Sequence, residues 1–185
     1  MPPQAQNHRL NVSHVLVSTE RIQQRVDELA RQISRDYATV GEPLLVGVLR
    51  GAFIFLADLT RRLSVSHTVD FMALSSYDGR RNLGEVRLVM DLREPVQGRH
   101  LLLVEDIIDS GRTLEYLHRI LQTRQPASIR TCVLVRKSRS GGDVPVDYLG
   151  FELPDVWLVG YGLDYADRHR TLPHIAELRA ETVPP

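Results

Sequence analysis

The sequence predicts an α/β fold: one domain around a largely parallel sheet with helices packed against it. Three observations point there. The uninterrupted apolar runs "PLLVGVL" (43–49), "LLLV" (101–104) and "IRTCVLV" (129–135) have the length and make-up of strands covered on both faces. Segments of helical periodicity stand between such runs, and strands alternating with helices define the class. At 185 residues the chain suits one substantial core and is short for two, and no repeat, low-complexity tract or linker divides it.

The first helix is expected from Thr19 to about Tyr37, where Ile22, Val26, Leu29, Ala30 and Ile33 recur at helical spacing. Ser18 or Thr19 can cap its start, and Glu20 suits its first turn. "PLLVGVL" then meets "RGAFIFLADLTRRL" (50–63), dense enough in apolar residues for a buried helix. "VDFMALSSY" (69–77) and "EVRLVMDL" (85–92) read as strands joined by the polar stretch "DGRRNLG". After "LLLV", the residues Leu114, Leu117, Ile120 and Leu121 line one side of a helix. "IRTCVLV", "VDYLGFEL" (146–153) and "VWLVGYGL" (156–163) complete the strands. Residues 1–9 and 180–185 are expected to be flexible.

Formal net charge is +0, so no global field recruits nucleic acid or an anionic membrane. Cys132, the single cysteine, lies in "TCVLV" and reads as a buried thiol. The start "MPPQAQNHRL" has no signal-peptide core and no apolar stretch could span a bilayer, which predicts a soluble cytoplasmic protein. The seven histidines form no H-E-x-x-H or close pair, so a histidine metal centre is not expected. Among 23 basic residues only Lys137 is a lysine, a position that needed a compact ammonium or an accident of drift toward arginine.

Function is concentrated in "LLLVEDIIDSGRTL" (101–114). Glu105, Asp106 and Asp109 directly precede Ser110-Gly111-Arg112-Thr113, which has the small residues, hydroxyls and helix start of an anion cradle. In such sheets ligands bind beyond the carboxyl ends of strands. One of these acids alone would read as a helix cap or a solvated charge. Three at one strand end point to a site. The nucleotide P-loop pattern is absent, and "GYGLDY" has Tyr165 where a dinucleotide fingerprint needs its third glycine. A sugar phosphate explains the juxtaposition, with its anion in the cradle and its hydroxyls on the acids. Mg²⁺, shared with a second phosphate group, suits nearby carboxylates.

"VEDIIDSGRT" resembles the signature of type I phosphoribosyltransferases, which bind 5-phosphoribosyl-1-diphosphate (PRPP), and "EDIIDSG" is similar to the hypoxanthine-guanine branch. "GVLRGAF", "SSYDG", "VRKSR" and "WLVGYGLDYADRHR" agree in order, so the resemblance runs from about Leu10 to His174. It implies a mainly parallel twisted sheet flanked by helices, with a small hood built from the terminal segments. It also implies Mg²⁺-dependent transfer of the phosphoribosyl group to N9 of a 6-oxopurine, through a transition state of oxocarbenium character.

Residue by residue, the resemblance assigns PRPP to Glu105, Asp106, Ile108, Asp109, Ser110, Gly111, Arg112 and Thr113. Asp109 would be the general acid/base near purine N7. Ser76 and Tyr77 would open a lid that shields the reaction. Leu49, Arg50 and Gly51, with Arg170, would hold pyrophosphate. Lysine is common where Arg50 stands, a mild departure because either cation can hold a diphosphate. Lys137 would donate to the purine 6-oxo group and so reject adenine. Trp157 would stack on the base, core packing being its other reading. The Leu158 backbone would meet the base near C2, and Asp164, beside the base, would join Glu105 and Asp106 as a metal ligand.

A homodimer or homotetramer is implied, with no stable nucleic-acid partner and no membrane. A xanthine-preferring relative is one alternative. A PRPP-sensing regulator that binds nucleic acid is the other, and it would need a basic surface.

Overall fold

The computed structural model describes residues 10–77, 85–138 and 145–180. The elements run β1 (Leu10–Val17), α1 (Thr19–Tyr37), β2 (Pro43–Leu49), α2 (Phe53–Thr60), β3 (Thr68–Tyr77), β4 (Glu85–Met90), β5 (His100–Ile108), α3 (Arg112–Gln122), β6 (Ser128–Lys137), β7 (Tyr148–Leu153), β8 (Leu158–Val159) and β9 (Ile175–Ala180). Six strands form the main sheet in the order β4-β3-β2-β5-β6-β7. Every neighbouring pair is parallel except β3 with β4.

The apolar runs make this sheet because their two sides enter different cores. Leu45, Leu102 and Val104 pack with Ile22, Val26, Leu29 and Ile33 of α1 and with Phe55, Leu56 and Leu59 of α2. Leu44, Val46, Val48, Leu101 and Leu103 pack with Leu114, Leu117 and Leu121 of α3. Ile120 is only half-buried, at the margin of that stripe. Ser18 caps α1 as expected, its hydroxyl accepting from the Arg21 N–H at 3.3 Å. Cys132 is buried, and burial pushes its thiol far above the ordinary range, so it is inert packing.

A second, three-stranded sheet has the order β1-β9-β8, with both pairs antiparallel. It joins the two ends of the described chain and forms the small hood. Strands β1 and β9 were not expected from the residues, Ala180 ends β9 instead of being flexible, and other elements differ in extent from the sequence reading. The run 156–163 was expected as one strand, but only Leu158–Val159 is extended. Gly160, Tyr161 and Gly162 all take positive φ (98°, 51° and 103°), which turns the chain out of the sheet. The helix expected over 50–63 is confined to Phe53–Thr60, because residues ahead of it form a turn at the end of β2. The strand expected to Leu92 stops at Met90, where the Asp91 carboxylate accepts from the Leu92 N–H and pairs with Arg124.

This topology places the site. From β2 the chain continues to β3 on one side, and from β5 it continues to β6 on the other. Adjacent parallel strands whose connections diverge leave a crevice beyond their carboxyl ends. Leu49 ends β2 there and Glu105 to Ile108 end β5. Among the described residues no helix is long and apolar enough to cross a membrane.

Candidate active site

Glu105 and Asp106 are both buried at the end of β5. Burial pushes the Glu105 carboxyl well above the usual range, and the neighbouring Asp106 charge and hydrogen bond act in the same direction. Burial also raises Asp106, to about 6, against the pull of backbone N–H groups, Glu105 and the Arg170 guanidinium. Glu105 Oε2 has no hydrogen-bond partner among the described residues. A buried oxygen in that state is costly unless a ligand completes it.

Gly51 lies so close to this pair that an added Cβ would overlap the Asp106 carboxyl. The Gly51 carbonyl in turn packs on Gly162, where a side chain would also collide. Three segments distant in sequence therefore stack with no side chain between them: the end of β5, the turn after β2 and the turn after β8. The Leu49–Arg50 peptide in this stack is cis. Together they line a cavity of about 360 Å³, with Thr113, Asp164 and Arg170 on its wall.

Arg50 and Arg170 converge on one group that the sequence reading missed, Asp167. Its Oδ1 accepts from Arg50 at 2.6 Å and from Arg170 at 3.0 Å. Hydrogen bonds from Arg170 and then Arg50 hold the Asp167 carboxyl below its ordinary range. Arg170 also pairs with Asp164 at 2.7 Å and donates to the Gly162 carbonyl at 2.8 Å. Asp164 accepts the Asp167 N–H at 2.7 Å, so it organises the same turn while facing the acids of the cavity. The only cue to Asp167 was an extra acid in "DYADRHR", which reads as a solvated charge.

The cradle opens α3. Gly111 takes φ 78° as the N-cap, a left-handed conformation that favours glycine. Among the described residues no side chain caps this helix, which suits its first N–H groups to an external anion. Ser110 and Arg112 are exposed and Thr113 faces the cavity. The Ile108 side chain belongs to the core, which leaves only its backbone for a ligand.

Lys137 ends β6 with its side chain 11% exposed, 3.4 Å from Asp109 and 3.3 Å from Asp155. Asp109 is 71% exposed at the rim. Asp155 is a second partner that sequence reasoning missed, because it sits in the unremarkable stretch "LPDVW". The ammonium also lies 5.9 Å from the centroid of Trp157. Trp157 is 65% exposed and meets Tyr165 edge-on at 5.4 Å, so its core-packing reading is wrong. Leu158 is buried in β8, paired with Glu177. Ser76 and Tyr77 end β3, while their side chains and the stretch 78–84 lie outside the described residues.

Among the described residues no three His, Cys, Asp or Glu side chains converge as a ready-made metal cage. Asp164 shares the cavity with Glu105 and Asp106 but is already engaged by Arg170. The unpartnered Glu105 oxygen and two adjacent carboxyls fit an ion that completes its shell with substrate oxygens and water, as Mg²⁺ does.

Comparison with known proteins agrees along nearly the whole chain. Residues 16–166 match the family described as phosphoribosyl transferase domain. The hypoxanthine phosphoribosyltransferase of Escherichia coli is 47% identical over 167 residues, which cover 89% of this chain and 94% of that protein. The hypoxanthine-guanine phosphoribosyltransferase of Dictyostelium discoideum is 42% identical over 172 residues, 90% of this chain and 96% of that one. A crystal structure of a hypoxanthine-guanine phosphoribosyltransferase from Bacillus anthracis superposes with a TM-score of 0.85 at 37% identity, covering 93% of this chain and 100% of the other.

Proposed function

The chain belongs to the phosphoribosyl transferase domain family, in its hypoxanthine-guanine branch, and from that premise we propose how it works in purine salvage. It transfers the 5-phosphoribosyl group of PRPP to N9 of hypoxanthine or guanine, giving IMP or GMP and pyrophosphate. Neither the xanthine-preferring nor the nucleic-acid-binding alternative is favoured by these relatives.

One juxtaposition carries the base assignment. Lys137 Nζ lies 3.4 Å from Asp109 Oδ2 and 5.9 Å from the ring centroid of the exposed Trp157. On a 6-oxopurine, O6 and N7 are neighbours along one edge. An ammonium donor beside a carboxylate acceptor matches that edge while the indole stacks on the ring. Lys137 donates to O6, and Asp109 exchanges the proton at N7 as N9 attacks C1 of the ribose. Adenine would present an amino donor to the ammonium and be rejected. The Leu158 backbone faces the C2 side.

Glu105 and Asp106 hold the ribose hydroxyls, with the N–H groups and hydroxyls of Asp109 to Thr113 around the 5-phosphate. Arg50, Arg170 and the turn at Leu49–Gly51 take the departing pyrophosphate. Glu105 and Asp106, with Asp164 nearby, would hold Mg²⁺, which would supply charge neutralisation to the diphosphate. Ser76 and Tyr77 belong to the shield over the reacting centre. The working protein is a cytoplasmic homodimer or homotetramer.

The experiment supplies PRPP and Mg²⁺ with hypoxanthine, guanine, xanthine, adenine or uracil in turn and measures nucleotide formed. Turnover of hypoxanthine or guanine is expected. Turnover of adenine or uracil without the oxopurines would overturn the assignment of Lys137.

A further inference from the structure

We propose that Asp167 is a built-in anion that holds Arg50 and Arg170 together and yields both to the diphosphate. Its carboxylate thereby sets how tightly pyrophosphate and PRPP bind. The inference rests on the reading above, in which these two arginines take the pyrophosphate.

Two guanidiniums that converge without an anion would repel each other, and each would leave the other poorly placed. Asp167 resolves this by accepting from both through one oxygen, at 2.6 Å and 3.0 Å. The arrangement is built by its turn. Ala166, Asp167 and His169 all take positive φ (49°, 62° and 71°), and Asp164 accepts the Asp167 N–H. Aspartate and asparagine tolerate that backbone better than most residues.

The pair is also placed to open. Arg50 is 69% and Asp167 61% exposed, so their contact faces solvent and can be exchanged without unpacking the core. Arg170 is better anchored, because it keeps Asp164 and the Gly162 carbonyl when Asp167 leaves. A bound diphosphate competes for the same donors with more charge and more acceptor oxygens. Part of its binding energy is then spent on displacing Asp167. That keeps the affinity for leaving pyrophosphate moderate and helps its release.

The test compares the parent protein with Asp167→Asn, Asp167→Ala and Arg50→Gln. Pyrophosphate binding with Mg²⁺ is measured by calorimetry, and steady-state constants are measured for PRPP and hypoxanthine. Asp167→Asn keeps the turn and removes the charge, so pyrophosphate should bind about three- to tenfold more tightly. The KM for PRPP should fall with it, the KM for hypoxanthine should stay, and kcat should not rise. A residue that merely orients the arginines would give the opposite sign.

Unchanged or weaker pyrophosphate binding in Asp167→Asn overturns the exchange, whatever Asp167→Ala does to folding. If Arg50→Gln leaves pyrophosphate binding intact, the pyrophosphate site itself is misassigned. If Arg50→Gln weakens binding and Asp167→Asn fails to tighten it, the site stands and only the exchange is wrong.

Discussion

Replacing Gly51 with alanine adds one methyl group at the tightest point of the site. Its Cβ would overlap Oδ2 and Cγ of Asp106 and stand 2.7 Å from Oδ1, inside the 3.0 Å that real Cβ atoms essentially never cross. The backbone of Gly51 is not left-handed, so alanine is not excluded by its own conformation. The whole effect must come from the collision. The Gly51 carbonyl packs on Gly162, which blocks a retreat of the turn in that direction. The Asp106 carboxyl therefore has to move, by on the order of 1 Å, and a misplacement of that size can cost about a hundredfold in rate. Overpacking a buried site costs about 1–3 kcal/mol, a fall in Tm of about 2–12 °C for a domain of this size.

The decisive measurement is a double-mutant cycle. The three atoms nearest the new methyl all belong to the Asp106 carboxyl, so Asp106→Ala removes the severe overlap. Gly51→Ala should destabilise the parent by the amounts above and cost less than about 0.5 kcal/mol in the Asp106→Ala background. Urea denaturation of the four proteins gives the coupling, and kcat/KM for PRPP gives the functional loss in the single variant. Additive stabilities, or a Gly51→Ala enzyme with parental kcat/KM, would refute the argument that Gly51 is there for the approach of Asp106.

Trp157→Ala should raise the KM for hypoxanthine about two- to tenfold through lost stacking while leaving Tm nearly unchanged, because the indole is exposed; a large fall in Tm with unaltered KM would return Trp157 to a packing role. Lys137→Arg should lower kcat/KM for hypoxanthine by more than about tenfold, whereas Arg50→Lys should cost only about threefold. Equal, mild losses in steady-state kinetics would contradict the special place given to the lone lysine. The raised carboxyl of Asp106 adds a pH dependence in metal-free protein. Its contribution is fully present below pH 3.8 and lost as pH rises through about 6, so the parent should lose up to about 3 kcal/mol relative to Asp106→Asn across that window. Urea melts at pH 4 and pH 7.5 measure this difference, and a constant gap between the two proteins would show that Asp106 is not raised by burial.

Much of the fold was legible because its information is local. The runs 43–49, 101–104 and 129–135 are apolar on both sides, and helix α1 carries its period and its Ser18 cap in adjacent residues. The acid cluster and its cradle were legible for the same reason, being contiguous between Glu105 and Thr113. Strands β1 and β9 were not. Register shifts between Val12 and His14 and between Val15 and Val17 break the alternation of β1, and its partner lies at the other end of the chain. Only the family resemblance anticipated a hood there. Asp155 and Asp167 were invisible because a carboxylate in a polar loop looks solvated until its cation is known. Their partners, Lys137 and Arg50, come from other segments, and pairwise contact of that kind leaves no period to read.

Those two acids also explain how a chain of zero formal net charge can carry a site for a highly anionic substrate. Three of the cations assigned to the substrate already have carboxylate partners: Arg50 has Asp167, Arg170 has Asp164 and Asp167, and Lys137 has Asp109 and Asp155. Glu105 and Asp106 show the complementary state, raised by burial where a cation or hydroxyls would relieve them. Under the exchange proposed above, binding at such a site replaces one set of ion pairs with another. The gain per contact is smaller than free arginines would give, since the displaced carboxylates must be resolvated. The arginines and the lysine are nevertheless fixed in place before substrate arrives, so less reorganisation remains at the moment of reaction. Stabilising a short-lived charged state through such prearranged groups, while holding ground-state affinity down, is what turnover with prompt product release requires.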